Sequence, residues 1–235
     1  MTRGGPVPKP DALVFDVLGT LVDEPAGIRS GIRAFAPALD DVAVERLLAL
    51  WQDHVAHEQA AIGDGERPYR DSAALDREAA RRVADAAGPD GTASAAVEAL
   101  AASARRLPPW PDTTDGLARL AERFPLVGLS NASRAALLEL DAHAGLRWHL
   151  AVSAEDARAY KPSPEVYRLA VEASGRPPER LLMVAAHAWD LRGAQRVGMR
   201  TAYVRRPVGD PPASSDRFDL YADGLADLAE QLDRA

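Results

Sequence analysis

The sequence predicts an α/β protein: a parallel sheet with helices on both faces and a helical block inserted directly after the first strand. Three observations carry this. Short apolar runs without polar alternation recur through the second half of the chain, as strands buried on both faces of a parallel sheet do. Helical periodicities separate those runs, giving the strand–helix rhythm of βαβ units. One more such run, Leu13 to Phe15, lies near the N-terminus, and a long alanine-rich helical stretch follows it where the next strand would be expected.

At 235 residues and 47% hydrophobic, the chain can bury one large core or two modest ones. Lys+Arg 28 against Asp+Glu 35 gives a net charge of −7, which works against capture by nucleic-acid phosphates or anionic membranes. Neither partner is expected. Cysteine is absent, which excludes disulfides and thiolate metal sites and suits a reducing compartment. No apolar run reaches the roughly 18 residues of a membrane span, and Met1 to Lys9 lack the apolar segment of a secretion signal. A soluble, cytoplasmic protein is the expectation. Lysine occurs only at Lys9 and Lys161 in a chain otherwise using arginine, and an ammonium is chemically distinct from a guanidinium.

Taken in order, Leu13-Val14-Phe15-Asp16 reads as a central strand ending in a carboxylate, where open α/β sheets place their ligands, and Gly19 lets the chain turn sharply. Ile28, Ile32 and Phe35, then Val44, Leu47, Leu48 and Trp51, keep helical spacing until Gly63-Asp64-Gly65 and Pro68 interrupt it. Further helices are predicted over Ser72–Ala87 and Thr92–Arg105, with a turn at Gly88-Pro89-Asp90-Gly91. Leu107 to Pro111 is a stiff proline-rich return linker. Strands are then predicted at 126–129, 149–152, 181–184 and 201–204, and helices over Ser133–Ala144, from the Lys161 segment to Ala173, from the Asp190 segment to Val197, and over Ala222–Leu232. Pro207 to Ser215 reads as a surface loop.

Asp16, Ser130-Asn131, Lys161 and Asp190 each follow a predicted strand, so a parallel sheet brings them to one crevice. Each also has an ordinary structural reading: Ser130 and Asn131 as helix caps, Lys161 as a surface lysine, Tyr167 and Trp189 as core, His187 and Asp190 as an N-cap pair. In this order, with a helical insert after the first strand, the segments Asp16 to Thr20, Leu129 to Asn131, Tyr160-Lys161-Pro162 and Val184 to Asp190 resemble the four motifs of the haloacid dehalogenase superfamily. The resemblance covers nearly the whole chain and implies a Rossmannoid body, residues 1–23 and 108–235, with an inserted helical cap, residues 24–107.

Phosphatases of that superfamily carry an acid two residues after the nucleophile; here the position is Leu18, which can neither protonate a leaving group nor activate water. Ala185-Ala186 stand where those relatives have a Gly-Asp pair that helps bind magnesium, a hard ion wanting several oxygens. The chain therefore resembles the L-2-haloacid dehalogenase (type II) group, and Trp110-Pro111-Asp112, the Ala-Ala-His run and Arg205-Arg206-Pro207 resemble its fluoroacetate-active members. The resemblance implies hydrolysis of a small-molecule 2-haloacid to a 2-hydroxy acid through an ester on Asp16, without metal or other cofactor, with a homodimer as candidate assembly.

It further implies that Lys161 keeps Asp16 ionised, that Thr20 and Asn131 position nucleophile and halide, and that Asp190 and His187 serve the hydrolytic water. Ser130, with backbone N–H groups near Gly19, would receive the substrate carboxylate, and Val17, Leu18, Gly19, Gln52, Tyr167 and Trp189 would line the substrate site. Alignment on Trp51 puts Gln52 where the family has an arginine for the halide, so Arg67 or Arg70 would have to substitute. His187 and Asp190, three apart, share a face if the helix begins at or before His187. A metal-dependent phosphatase and a non-catalytic binding relative stay open as alternatives.

Overall fold

A computed structural model of the chain describes residues 9–88 and 94–234. Six strands form one sheet in the order β3-β2-β1-β4-β5-β6: β1 Ala12–Asp16, β2 Leu126–Ser130, β3 Leu150–Ser153, β4 Leu181–Ala185, β5 Arg200–Val204 and β6 Leu220–Ala222. Every pairing is parallel. The chain runs outward from β1 to β3, then returns to lay β4 against the other side of β1, so strand order reverses there. That reversal opens a crevice at the carboxyl ends of β1 and β4, with Asp16 as the last residue of β1.

Alternation along β1 sends Leu13 and Phe15 into one apolar cluster and Ala12 and Val14 into the other. The first cluster continues without a break into the inserted helices, through Ile28, Leu47, Trp51 and Val83. Those helices are α1 Glu24–Phe35, α2 Asp41–Gly63, α3 Ser72–Ala87 and α4 Ser94–Ala101. An aspartate caps each of the first three: Asp23, Asp40 and Asp71 accept from Ala26 N, Ala43 N and Ala74 N at 2.8 to 3.0 Å. The second half adds α5 Thr113–Ala121, α6 Arg134–Ala144, α7 Pro164–Ser174, α8 Ala188–Arg196 and α9 Leu225–Asp233.

Four expectations change. The turn after Gly88 and the proposed start at Thr92 lie outside the described residues; the helix there runs from Ser94 and tightens into a 3-10 turn over Ala102–Arg105. Helix α5 was not expected, although Leu117 and Leu120 keep helical spacing and are buried. The closing helix does not begin at Ala222: β6 ends there, and α9 starts after Gly224, where the distant Asp112 Oδ2 accepts from Leu225 N at 2.8 Å. The segment from Pro207 to Ser215 is more than a surface loop. Asp210 pairs with the His187 turn, its carbonyl accepting from Ala188 N at 2.8 Å and its Oδ2 from Trp189 N at 3.0 Å.

Candidate active site

Asp16 ends the central strand with its carboxylate facing the crevice. Lys161, from the segment before α7, is buried and donates from Nζ to Asp16 Oδ1 and to Asp190 Oδ2, each at 2.9 Å. Thr20 Oγ1 donates to Asp16 Oδ2 at 2.6 Å and accepts from Ala186 N at 2.9 Å, tying the loop after β1 to the end of β4. His187 Nδ1 lies 3.2 Å from the same Oδ2. Gly19 makes room for that ring: its φ is +77°, and a Cβ there would sit 2.6 Å from His187 Cε1.

The loop after β1 is held from behind. Trp110 Nε1 donates to Gly19 O at 3.0 Å, Arg206 Nε to Thr20 O at 2.7 Å, and Thr113 Oγ1 to Leu21 O at 2.7 Å. Asp112 in turn accepts from Arg206 Nη1 at 2.7 Å. Sequence reasoning attached no role to Arg206, Asp112 or Asp210. Nothing local in the sequence joins Arg206 and Asp112 to partners 94 or more positions away, or Asp210 to Trp189, 21 positions before it.

The charges settle around Lys161. Burial alone would raise the Asp16 carboxyl, but Lys161 foremost, then His187 and Thr20, hold it well below the usual carboxylate range. Asp190 is fully buried and moves the other way, because desolvation and the Asp16 charge outweigh Lys161 and Tyr167. Burial disfavours the Lys161 ammonium, yet the two carboxylates push its pKa up on balance. His187 is likewise raised on balance: desolvation opposes its charged form, and the hydrogen bond and charge of Asp16 prevail. At neutral pH Asp16 is an ionised, oriented carboxylate. A nucleophile needs that state.

A cavity of about 210 Å³ opens over Asp16. Its floor includes Asn131, Lys161, His187 and Trp189, with Leu18 at one side. Its roof is α2, where Gln52, Val55, Ala56 and Gln59 recur at helical spacing and so face it together. Glu24 and Ile28 of α1 close a third side. A second space of about 650 Å³ shares Ala56, Gln59, Lys161 and Trp189 with it.

Most expected site residues meet here, with corrections. Leu18, Gln52, Asn131 and Trp189 line the cavity. Asn131 Oδ1 accepts from Lys161 N at 2.9 Å and its Nδ2 donates to Gln59 at 3.3 Å, so it fixes the Lys161 segment and reaches the roof. Ser130 does not line the cavity; its Oγ accepts from Ala132 N at 3.1 Å. Gly19 N, an expected anion donor, is spent on Val22 O at 3.1 Å, and Val17 is buried in the core.

Tyr167 is not a substrate-lining residue. It is fully buried and donates to Asp190 Oδ1 at 2.6 Å. His187 sits at the N-cap position of α8, outside the helix proper, and its carboxylate partner is Asp16, where spacing had suggested Asp190. No arginine lines the cavity among the described residues. Arg67 pairs with Glu58 and Glu78 inside the helical insert, and Arg70 is not among the lining side chains.

These geometries coincide with known proteins. A family model described as haloacid dehalogenase-like hydrolase matches residues 10–198, and the chain belongs to that family. It is 30% identical over 200 residues to (S)-2-haloacid dehalogenase H-109 of Pseudomonas putida, covering 83% of this chain and 86% of that one. Among solved structures, the defluorinating L-2-haloacid dehalogenase Rha0230 superposes with a TM-score of 0.86 at 31% identity, covering 95% of each chain. The L-2-haloacid dehalogenase of Xanthobacter autotrophicus with chloropropionic acid covalently bound gives 0.79 at 26% identity, covering 95% of this chain and 98% of that one.

Proposed function

We propose that this chain hydrolyses short 2-halo acids to 2-hydroxy acids in two displacements at Asp16. One observation carries this: a strand-end carboxylate kept ionised by Lys161 and oriented by Thr20 faces a small cavity whose neighbouring position, Leu18, offers no second acid. An Asp16 oxygen attacks C2, the new C–O bond forms as the C–halide bond breaks, and halide leaves with its electron pair. Water then adds to the ester carbonyl and loses a proton, and the acyl–oxygen bond breaks. The hydroxy acid departs with the oxygen that Asp16 contributed.

His187 is the base best placed for the water. It lines the cavity and contacts Asp16, whereas Asp190 lies behind Lys161 and positions it. Displacement at carbon by an ionised carboxylate expels halide as an anion without a Lewis acid, so the proposed chemistry calls for no metal. Residues 24–107 serve as the cap that carries the α2 roof, over a body of residues 1–23 and 108–235. That a covalent adduct is seen in the Xanthobacter relative supports the ester route. Halide release from a panel of 2-halo acids, measured with and without EDTA, tests it. Activity that disappears with chelator and returns with magnesium would refute it.

A further inference from the structure

His187 stands at the N-cap position of α8 but does not cap the helix with its side chain; the ring turns to Asp16 instead. A residue at that position ordinarily supplies a side-chain oxygen to one of the first N–H groups, which have no partner within the helix. Here the oxygen comes from the connection after β5. Asp210 Oδ2 accepts from Trp189 N at 3.0 Å, and the Asp210 carbonyl accepts from Ala188 N at 2.8 Å. The next two N–H groups, of Asp190 and Leu191, donate to the His187 carbonyl at 3.1 and 3.2 Å. Asp210 N also donates to Ala186 O at 3.2 Å, so its bonds fall on both sides of His187 and leave the imidazole free.

We propose that Asp210 is a positioning residue for His187: by capping α8 from outside the helix, its carboxylate lets the imidazole face Asp16 and the water that hydrolyses the ester. This rests on the haloacid reading above, with His187 as base, and adds the residue that sets the base in place.

The ring has little freedom once its backbone is set. Gly19 leaves just enough room on one side, and the Trp189 ring lies beside it with centroids 5.6 Å apart. The supporting segment is pressed equally close to the turn. Gly209 has φ +146°, and a Cβ there would lie 2.6 Å from Ala186 O, so only glycine lets Asp210 come this near. Asp210 is held in turn by Arg192 of α8, whose Nη2 donates to Asp210 Oδ2 at 3.3 Å while its Nη1 donates to Asp216 Oδ2 at 2.8 Å. Asp16 is fixed separately, by Lys161 and Thr20. Loss of the Asp210 carboxylate therefore disturbs the base and leaves the nucleophile in place, which confines its effect to the second displacement.

Single-turnover rapid quench with 2-chloropropionate separates the steps: chloride release reports alkylation, and the mass of the Asp16 peptide reports decay of the ester. The Asp210 side chain is 41% exposed and its backbone bonds do not depend on it, so Asp210→Ala removes the cap without opening the core. That variant should release chloride at the wild-type rate and hydrolyse its ester about tenfold more slowly, within the hundredfold that a 1 Å misplacement can cost. Asp210→Glu, which keeps the charge but shifts the oxygens off Trp189 N, should show the same selective slowing. Asp210→Asn keeps an oxygen for Trp189 N and should hydrolyse like the wild type. Added to His187→Ala, Asp210→Ala should cost nothing further. Both steps slowed equally, hydrolysis unchanged, Asn no better than Ala, or a full additional loss in the double variant overturns the role of Asp210 and leaves the dehalogenase reading standing. Wild-type ester decay in His187→Ala overturns the base and the proposal together. No chloride release by the wild type from any 2-halo acid overturns the dehalogenase reading as well.

Discussion

Replacing Lys161 with methionine removes the one cation lying between Asp16 and Asp190 while keeping most of the side-chain volume. Both pairs measure 2.9 Å in a buried site. At an effective dielectric near 20, each is worth roughly 6 kcal/mol of Coulomb attraction before desolvation is subtracted. Desolvation offsets most of that, and breaking a buried ion pair by removing one partner typically leaves a net loss of about 3–5 kcal/mol. For a chain of this length each kcal/mol lowers Tm by about 2–4 °C, so a fall of roughly 6–20 °C is expected.

The two carboxylates then face each other without the ammonium between them, and one of them takes up a proton. Its folded pKa rises above the unfolded value near 4. Such a group supports folding below the unfolded pKa, and that support is lost as pH rises through the folded one. The Tm deficit of Lys161→Met should therefore widen between pH 5 and pH 8, and the halide burst should be lost at both. Thermal melts with rapid-quench halide assays measure each. A variant melting within about 2 °C of wild type at pH 8, with its burst intact, would show that Lys161 does not hold the two carboxylates.

Under single turnover in heavy-oxygen water, label should enter the Asp16 carboxylate before it appears in product; label only in the hydroxy acid would make Asp16 a base acting on water. His187→Ala should slow ester hydrolysis more than alkylation, so mass spectrometry after a rapid quench should find added mass on the Asp16 peptide, whereas a lost burst without adduct would move His187 to substrate binding. Tyr167→Phe leaves Asp190 Oδ1 without its 2.6 Å donor and should cost about 1–3 kcal/mol in a denaturant titration, with a slower turnover. An unchanged midpoint would mean that the hydroxyl contributes nothing there.

Much of this was legible in the chain because the relevant signals are local. A buried parallel strand must be apolar throughout, so β1, β2 and β4 announce themselves, and a strand-end Asp16 is placed by that alone. Lys161 stood out by rarity, and α2 presents Gln52 to the cavity, where alignment with the family on Trp51 had put it. What escaped was set by contacts far apart in sequence. The start of α9 depends on Asp112, the His187 turn on Asp210, and the nucleophile loop on Arg206. Tyr167 was expected at the substrate and meets Asp190 instead, since periodicity tells which face is buried and not what the hydroxyl meets there.

Alkylation of Asp16 reverses the electrostatics of the site in the direction the second step needs. In the free enzyme, burial opposes the His187 imidazolium, but the Asp16 carboxylate 3.2 Å away outweighs it. Halide departs as an anion and asks for no proton, so a protonated His187 is harmless to the first displacement. On the proposed route, once Asp16 becomes an ester its charge is gone, and the largest support for the imidazolium goes with it, so the His187 pKa should fall. A lower pKa would favour the neutral imidazole, the base that the proposed hydrolysis needs beside the ester carbonyl. Asp190, already bound to Lys161 and Tyr167 and closed off from the cavity, needs no change of protonation in either step. Its part is to keep the ammonium in place while the charge on Asp16 comes and goes.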